Sequence, residues 1–61
     1  MENVYIQVQD FTGNWKNASI LIVNDSQRIL HEMRNVQMSS PNMRVRAVDE
    51  NGRLLDMLEK K

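Results

Sequence analysis

The feature that most constrains the fold is a glycine-containing turn between two apolar segments near the end of the sequence. Residues 43–49 and 53–58 have strand-like composition, and Glu50-Asn51-Gly52 lies between them. Glycine tolerates the left-handed backbone that short hairpin turns require. The pattern therefore predicts a β-hairpin over residues 43–58.

Two registers of this hairpin are open. A two-residue Asn51-Gly52 turn would pair Ala47 with Asp56, whereas a three-residue loop with left-handed Gly52 would shift the pairing by one residue. The cross-strand pairs of the three-residue loop would be Asp49 with Arg53, Ala47 with Leu55, Arg46 with Asp56 and Val45 with Met57. This second register matches charges with charges, and it places Asp and Gly at favoured positions of a type I turn. We therefore expect the second register.

The second register predicts two different faces of the hairpin. The face expected to meet a helix carries Met43, Val45, Ala47, Leu55 and Met57. The opposite face carries Arg44, Arg46, Val48, Leu54, Asp56 and Leu58, and it is extended by Tyr5 and part of the run 20–23. An apolar patch rimmed by charge favours a contact surface. The expected partner-contact residues are therefore Tyr5, Arg44, Arg46, Val48, Leu54 and Leu58.

The first third of the sequence predicts two strands. Val4, Ile6 and Val8 alternate with polar side chains, which is typical of a half-buried strand. Residues 10–14 have turn composition, and residues 15–23 end in a β-branched run that is apolar on both faces. Such a strand is central in its sheet or covered on both sides.

The middle of the sequence predicts one helix. Asn24 can accept a hydrogen bond from the Gln27 amide at its start, and the loop chemistry from Ser39 onward should end it near Met38. Its apolar stripe would consist of Ile29, Leu30, Met33 and Val36. The expected fold is one α+β domain over residues 1–61, a four-stranded, mainly antiparallel sheet in ββαββ order with one helix packed on one face. The pattern leaves the strand order open.

Length and composition limit how this domain can be stabilised. A chain of 61 residues forms one domain with a small core, and small domains add disulfides, metals or self-association. The absence of Cys and the single His exclude disulfides and a structural zinc site. We therefore expect good packing or a homo-oligomer, with a dimer favoured. Without a signal-peptide pattern or a long apolar run, we expect a cytoplasmic protein with no membrane partner.

Candidate catalytic side chains are sparse. His31 falls on the polar side of the helix, with no nucleophile at a useful spacing. Asp49, Glu50 and Asp56 cluster in sequence, but the expected register assigns them to the turn and to ion pairs with Arg53 and Arg46. We therefore expect no catalytic, cofactor-binding or metal-binding residues, and a protein that is not an enzyme.

Two arginines on one strand support an alternative function. Arg44 and Arg46 would project from the same face at a spacing that suits successive phosphates, and Tyr5 or Trp15 could stack on a base. Eight acidic residues balance the eight basic ones, and this charge balance argues against a nucleic-acid-binding protein. A protein-contact role is therefore favoured, with nucleic-acid binding through these arginines as the alternative.

The sequence also resembles small uncharacterised proteins of bacteria and phages with a strand–strand–helix–strand–strand layout. The resemblance is carried by Trp15, the segment Asn24-Asp25-Ser26-Gln27 and the hairpin residues 44–56. The layout is similar to that of the Dmd phage antitoxins through Trp15-Lys16-Asn17, Asp25-Ser26-Gln27 and Asp49-Glu50. Those antitoxins bind and inhibit a host ribonuclease toxin. The resemblance to the uncharacterised proteins implies a fold and names no activity, whereas the similarity to the antitoxins implies an inhibitor of a host protein. We therefore expect a non-enzymatic protein-interaction module that self-associates through the second face of its sheet.

Overall fold

A computed structural model describes residues 3–22 and 25–59 of the chain. Its elements are β1 (Val4–Gln9), β2 (Trp15–Leu21), α1 (Ser26–Ser39), β3 (Val45–Val48) and β4 (Leu54–Leu58). The four strands form one antiparallel sheet in the order β2-β1-β3-β4, and α1 packs on one face of it. The predicted α+β fold is confirmed. Within the described part of the chain, no helix is long and apolar enough to cross a membrane.

The core lies between α1 and the two central strands. Alternate residues of a strand face the same side of the sheet, so each central strand sends one apolar series toward the helix. The buried cluster consists of Val4, Ile6, Ile29, Met33, Val45 and Ala47. The helix contributes Ile29 and Met33 from its predicted stripe, while Leu30 and Val36 are half-buried.

The helix begins one residue later than the capping pattern predicts. Asp25 is the N-cap, and its Oδ1 accepts from the Gln27 amide at 3.0 Å. The predicted cap, Asn24, lies outside the described residues, as does Val23 at the predicted end of the second strand. Both Asn and Asp are strong caps, so two adjacent candidates leave the start ambiguous in sequence.

The turn of the second hairpin is the predicted three-residue loop. Gly52 has φ +79°, its amide donates to the Asp49 carbonyl at 3.0 Å, and the Asp49 amide donates to the Arg53 carbonyl at 3.0 Å. The predicted pairing of Asp49 with Arg53 is therefore confirmed.

Beyond that turn, a β-bulge changes the register of β4. Val48 pairs with Leu54, yet Ala47 pairs with Asp56, so Leu55 is an extra residue. The remaining pairs are Arg46 with Met57 and Val45 with Leu58. The predicted pairs Ala47–Leu55, Arg46–Asp56 and Val45–Met57 are therefore wrong. One inserted residue exchanges the faces of all the residues that follow it.

The first hairpin contains a matching bulge. Ile6 pairs with Ser19 and Gln7 pairs with Asn17, so Ala18 is the extra residue of β2. Since Ile6 also pairs with Ala47, the two bulges lie on opposite edges of the sheet and on either side of the Ile6–Ala47 pair. Each edge strand therefore changes the face of its side chains partway along its length.

Candidate functional site

The face of the sheet turned away from α1 is the candidate site, and we call it the open face. Cross-strand partners in an antiparallel pair share a face, so the register determines its members. These residues are Tyr5, Gln7, Gln9, Trp15, Asn17, Ile20, Arg44, Arg46, Val48, Leu54 and Met57. Among the described residues, the helix covers only the other face of the sheet.

An apolar row crosses all four strands of the open face. Its members, from one sheet edge to the other, are Ile20, Tyr5, Val48 and Leu54. Ile20 and Leu54 expose 55% and 52% of their surface, whereas Val48 between Tyr5 and Leu54 is buried. This row, hereafter the apolar row, is exposed at both edges of the sheet and buried at Val48 between them.

A polar row lies beside the apolar row and is held by its own hydrogen bonds. Arg46 Nε donates to Gln7 Oε1 at 2.7 Å, and Gln7 Nε2 donates to Asn17 Oδ1 at 2.8 Å. The Arg46 guanidinium also lies over the Trp15 ring, 4.2 Å from its centroid. This cation–π contact and the hydrogen bonds hold Arg46 flat against the sheet.

The other arginine of the open face is held by the segment that follows β4. Arg44 Nε lies 3.0 Å from Glu59 Oε2, and the Gln37 side chain donates to the Glu59 carbonyl at 2.7 Å. Glu59 is therefore tied to β3 through its side chain and to the helix through its backbone. Sequence reasoning missed both contacts, because neither Gln37 nor Glu59 belongs to an apolar pattern.

The structure brings together most of the predicted contact residues. Tyr5, Arg44, Arg46, Val48 and Leu54 share the open face, as predicted. The placement of Leu58 there is wrong. It pairs with Val45 and packs against the core, because the bulge at Leu55 turns it toward the helix. Met57 takes its place on the open face.

The side chains considered for chemistry have structural roles. Asp49 Oδ1 accepts from the backbone amides of Asn51 and Arg53 at 2.9 Å each, and Glu50 Oε1 accepts from the Asn3 amide at 2.9 Å. His31 is exposed on the helix. In residues 3–22 and 25–59, no three His, Cys, Asp or Glu side chains are grouped so that they could hold a metal ion.

The pKa of Asp10, in the first turn, is lowered from its ordinary value. The Thr12 hydroxyl donates to Asp10 Oδ1 at 2.6 Å, and the amides of Thr12 and Asn14 donate to the same oxygen. These bonds, led by that of the hydroxyl and aided by Lys16 at 3.5 Å, hold the pKa of the Asp10 carboxyl below its ordinary value. Apart from Lys16 in β2, these partners belong to the turn itself, so the hydrogen bonds stabilise the turn.

Two clefts are also present among the described residues, and the first of them borders the open face at Gln9 and Arg44. One, of about 470 Å³, lies between the first turn and the segment entering β3, and includes Asp10, Phe11 and Met43. The other, of about 180 Å³, lies between β4 and the start of the helix, and is lined by Ser26, Ile29, Leu55 and Asp56. In the first cleft, Asp10 is bonded within its own turn and Arg44 is paired with Glu59. In the second cleft, the Asp56 side chain accepts from the Met57 amide.

Comparison of the chain with protein-family models, with curated proteins and with solved structures finds no match.

Proposed function

We propose that this chain is a non-enzymatic protein-interaction module that self-associates through the open face. The observation that carries the proposal is the apolar row, which leaves Ile20 and Leu54 more than half exposed at the two edges of the sheet. An exposed apolar strip bordered by polar side chains is typical of protein contact surfaces. A second protein surface on this face would remove the strip from water.

The small core gives a further reason for association. Within residues 3–22 and 25–59, seven apolar residues are buried, namely the six of the cluster and Val48. A domain of this size has little hydrophobic stabilisation in reserve. Burying the apolar row against a partner would add apolar area to a small core, so binding and stability would be coupled.

The two arginines favour a protein surface over nucleic acid. Arg44 is paired with Glu59, and Arg46 is bonded to Gln7 and stacked on Trp15. A phosphate would have to compete with these contacts, and the Trp15 ring is occupied rather than open for a base. The arginines therefore act as parts of the sheet surface, and nucleic-acid binding stays the alternative.

Sedimentation equilibrium at high micromolar concentration tests the proposal. We expect the unmodified chain to self-associate and Leu54→Lys to be monomeric with its fold intact by circular dichroism. Met38→Lys is the matched control, because Met38 is 77% exposed on the helix, away from the open face. A monomeric unmodified chain, or equal loss of association in both variants, would contradict the proposal.

The nucleic-acid alternative has its own measurement. It requires binding of RNA or DNA that weakens with salt and is lost in Arg44→Glu and Arg46→Glu. We expect no mobility shift of either nucleic acid at low salt. Salt-dependent binding that is lost in both arginine variants would favour the alternative over the module.

A further inference from the structure

We infer that the partner on the open face is a second copy of this chain, placed by a two-fold axis that runs parallel to the strands between β1 and β3. The inference rests on the proposed function and adds the geometry of the complex. Closed dimers have two-fold symmetry, so the same surface must be able to pack against itself. The order of residues on the open face decides which two-fold axis satisfies this condition.

An axis along the strands keeps each row of side chains opposite the same row of the other copy. It places β2 over β4 and β1 over β3, because the axis lies between the two central strands. Ile20 would then face Leu54 of the second copy, and Tyr5 would face Val48. All apolar residues of the row therefore meet apolar residues.

The polar rows are also compatible under this axis. Arg46 would lie opposite Gln7 of the second copy, and Arg44 would lie opposite Gln9. No two like charges oppose each other in these rows. Since like-charge juxtaposition is costly at an interface, this arrangement avoids the main electrostatic barrier to self-association.

An axis perpendicular to the strands is less favourable. If it passed through the polar row, the apolar row would lie over the row formed by Trp15, Gln9 and Arg44. Val48 would then lie opposite Arg44, and Tyr5 would lie opposite Gln9. If it passed through the apolar row, the polar rows would lie beyond the contact. The axis parallel to the strands is the one that buries the apolar row and matches the rest of the open face.

The size of the face indicates a reversible complex. Four strands about 4.8 Å apart and three rows of side chains cover roughly 400 Å² on each copy. Stable complexes bury about 800 Å² on each partner, so we expect a dimer that forms at micromolar concentration. The apolar row supplies the apolar part of the contact at one end of the open face, and the polar side chains of that face supply the rest.

Site-directed disulfides test the axis directly, because the sequence contains no Cys. Ile20→Cys and Leu54→Cys are suitable positions, since both side chains are more than half exposed. Under mild oxidation at high micromolar concentration, the mixture of the two variants should give about tenfold more linked dimer than either variant alone. A mixture of Ile20→Cys with Met38→Cys is the control, and it should give no such increase.

The outcomes separate the axis from the proposed function. Preferential linking in the Ile20→Cys and Leu54→Cys mixture supports the inference. If either variant alone links as much as the mixture does, the proposed axis is wrong. A dimer detected by sedimentation would in that case still support the proposed function. A monomer by sedimentation overturns both. Circular dichroism of each reduced variant checks that the substitution preserves the fold.

Discussion

The two hairpins of this protein have the same type of turn, and the two turns differ in how deeply they are buried. Asp10-Phe11-Thr12-Gly13-Asn14 and Asp49-Glu50-Asn51-Gly52-Arg53 both contain Asp at the first position and a left-handed Gly at the fourth. In each, the Asp side chain accepts from the amides two and four residues later. Asp49 is buried, whereas Asp10 is partly exposed. The same hydrogen bonds from backbone amides to an Asp side chain therefore form in two environments that differ in exposure to water.

The comparison separates local from long-range contributions to the fold. The turn geometry follows from five consecutive residues, so it forms in both places. What the turn contributes to stability depends on whether water can replace its hydrogen bonds when they are lost. Substitutions at equivalent positions of the two turns can therefore measure burial while local geometry is held constant.

The largest difference should come from removing the two acids. Asp49→Ala leaves the amides of Asn51 and Arg53 without their acceptor in a partly buried place, and it should lower the free energy of unfolding by about 1–3 kcal/mol. Asp10→Ala should cost less, because its turn is exposed to water. Urea unfolding measures both. Asp49→Asn, which keeps the acceptor, is the control, and equal losses at Asp10 and Asp49 would refute the role of burial.

Replacing either turn glycine should lower the free energy of unfolding by the same amount, which should be smaller than the loss for Asp49→Ala. Gly13 and Gly52 have φ of +89° and +79°, and a Cβ at either position would meet no atom closer than an ordinary contact. Replacement by Ala should therefore cost about 1–2 kcal/mol at each site through backbone strain alone. Gly→Asn should cost less, since Asn adopts the left-handed region more readily. A loss at one glycine far larger than at the other would contradict this account.

Deleting the extra residue of each edge strand should leave the other side chains on their present faces of the sheet. It should change the free energy of unfolding less than the glycine substitutions do. Ala18 is exposed, so its deletion should alter the free energy of unfolding by about 0.5 kcal/mol or less. Leu55 lines the cleft beside Ile29, so its deletion should cost about 1 kcal/mol through lost apolar contact. Nuclear Overhauser contacts across the sheet would report any slip, and a reversal of the two costs would argue against these roles.

The smallest expected effect concerns pH and the first turn. The pKa of Asp10 is lowered, so its stabilising contribution is present above the ordinary pKa of an aspartate and is lost as the pH falls through the lower folded-state value. Thr12→Val removes the leading cause and should raise the pKa of Asp10 in a carboxyl NMR titration. Thr12→Ser retains the hydroxyl and should leave that pKa low. An unchanged pKa in Thr12→Val would show that the backbone amides suffice.

The sequence predicts the parts of this fold that depend on neighbouring residues. The Asp49–Gly52 turn, the strands and the helix are local patterns, and the structure confirms them. The bulge at Leu55 is different, because Leu54 and Leu55 are both apolar and either could face the core. Packing decides between them, so the predicted register fails one residue beyond a correct turn.

The candidate site was predictable to a similar degree. Tyr5, Val48 and Leu54 lie on the open face as predicted, because regular strand alternation up to the bulge assigns their faces. Met57 and Leu58 lie beyond the bulge, so their faces were exchanged. The contacts of Glu59 with Arg44 and Gln37 join three separate elements, and no local pattern indicates them.

The paired bulges also influence how the protein can assemble. A straight edge strand offers an unbroken line of backbone donors and acceptors to another chain, which is how sheets grow into fibres. Here Ala18 and Leu55 interrupt that line on both edges, on either side of the Ile6–Ala47 pair. Sideways growth is therefore hindered, which leaves the open face as the surface proposed for association. In a dimer joined face to face, the apolar rows of the two chains would bury each other, so assembly would stop at two chains.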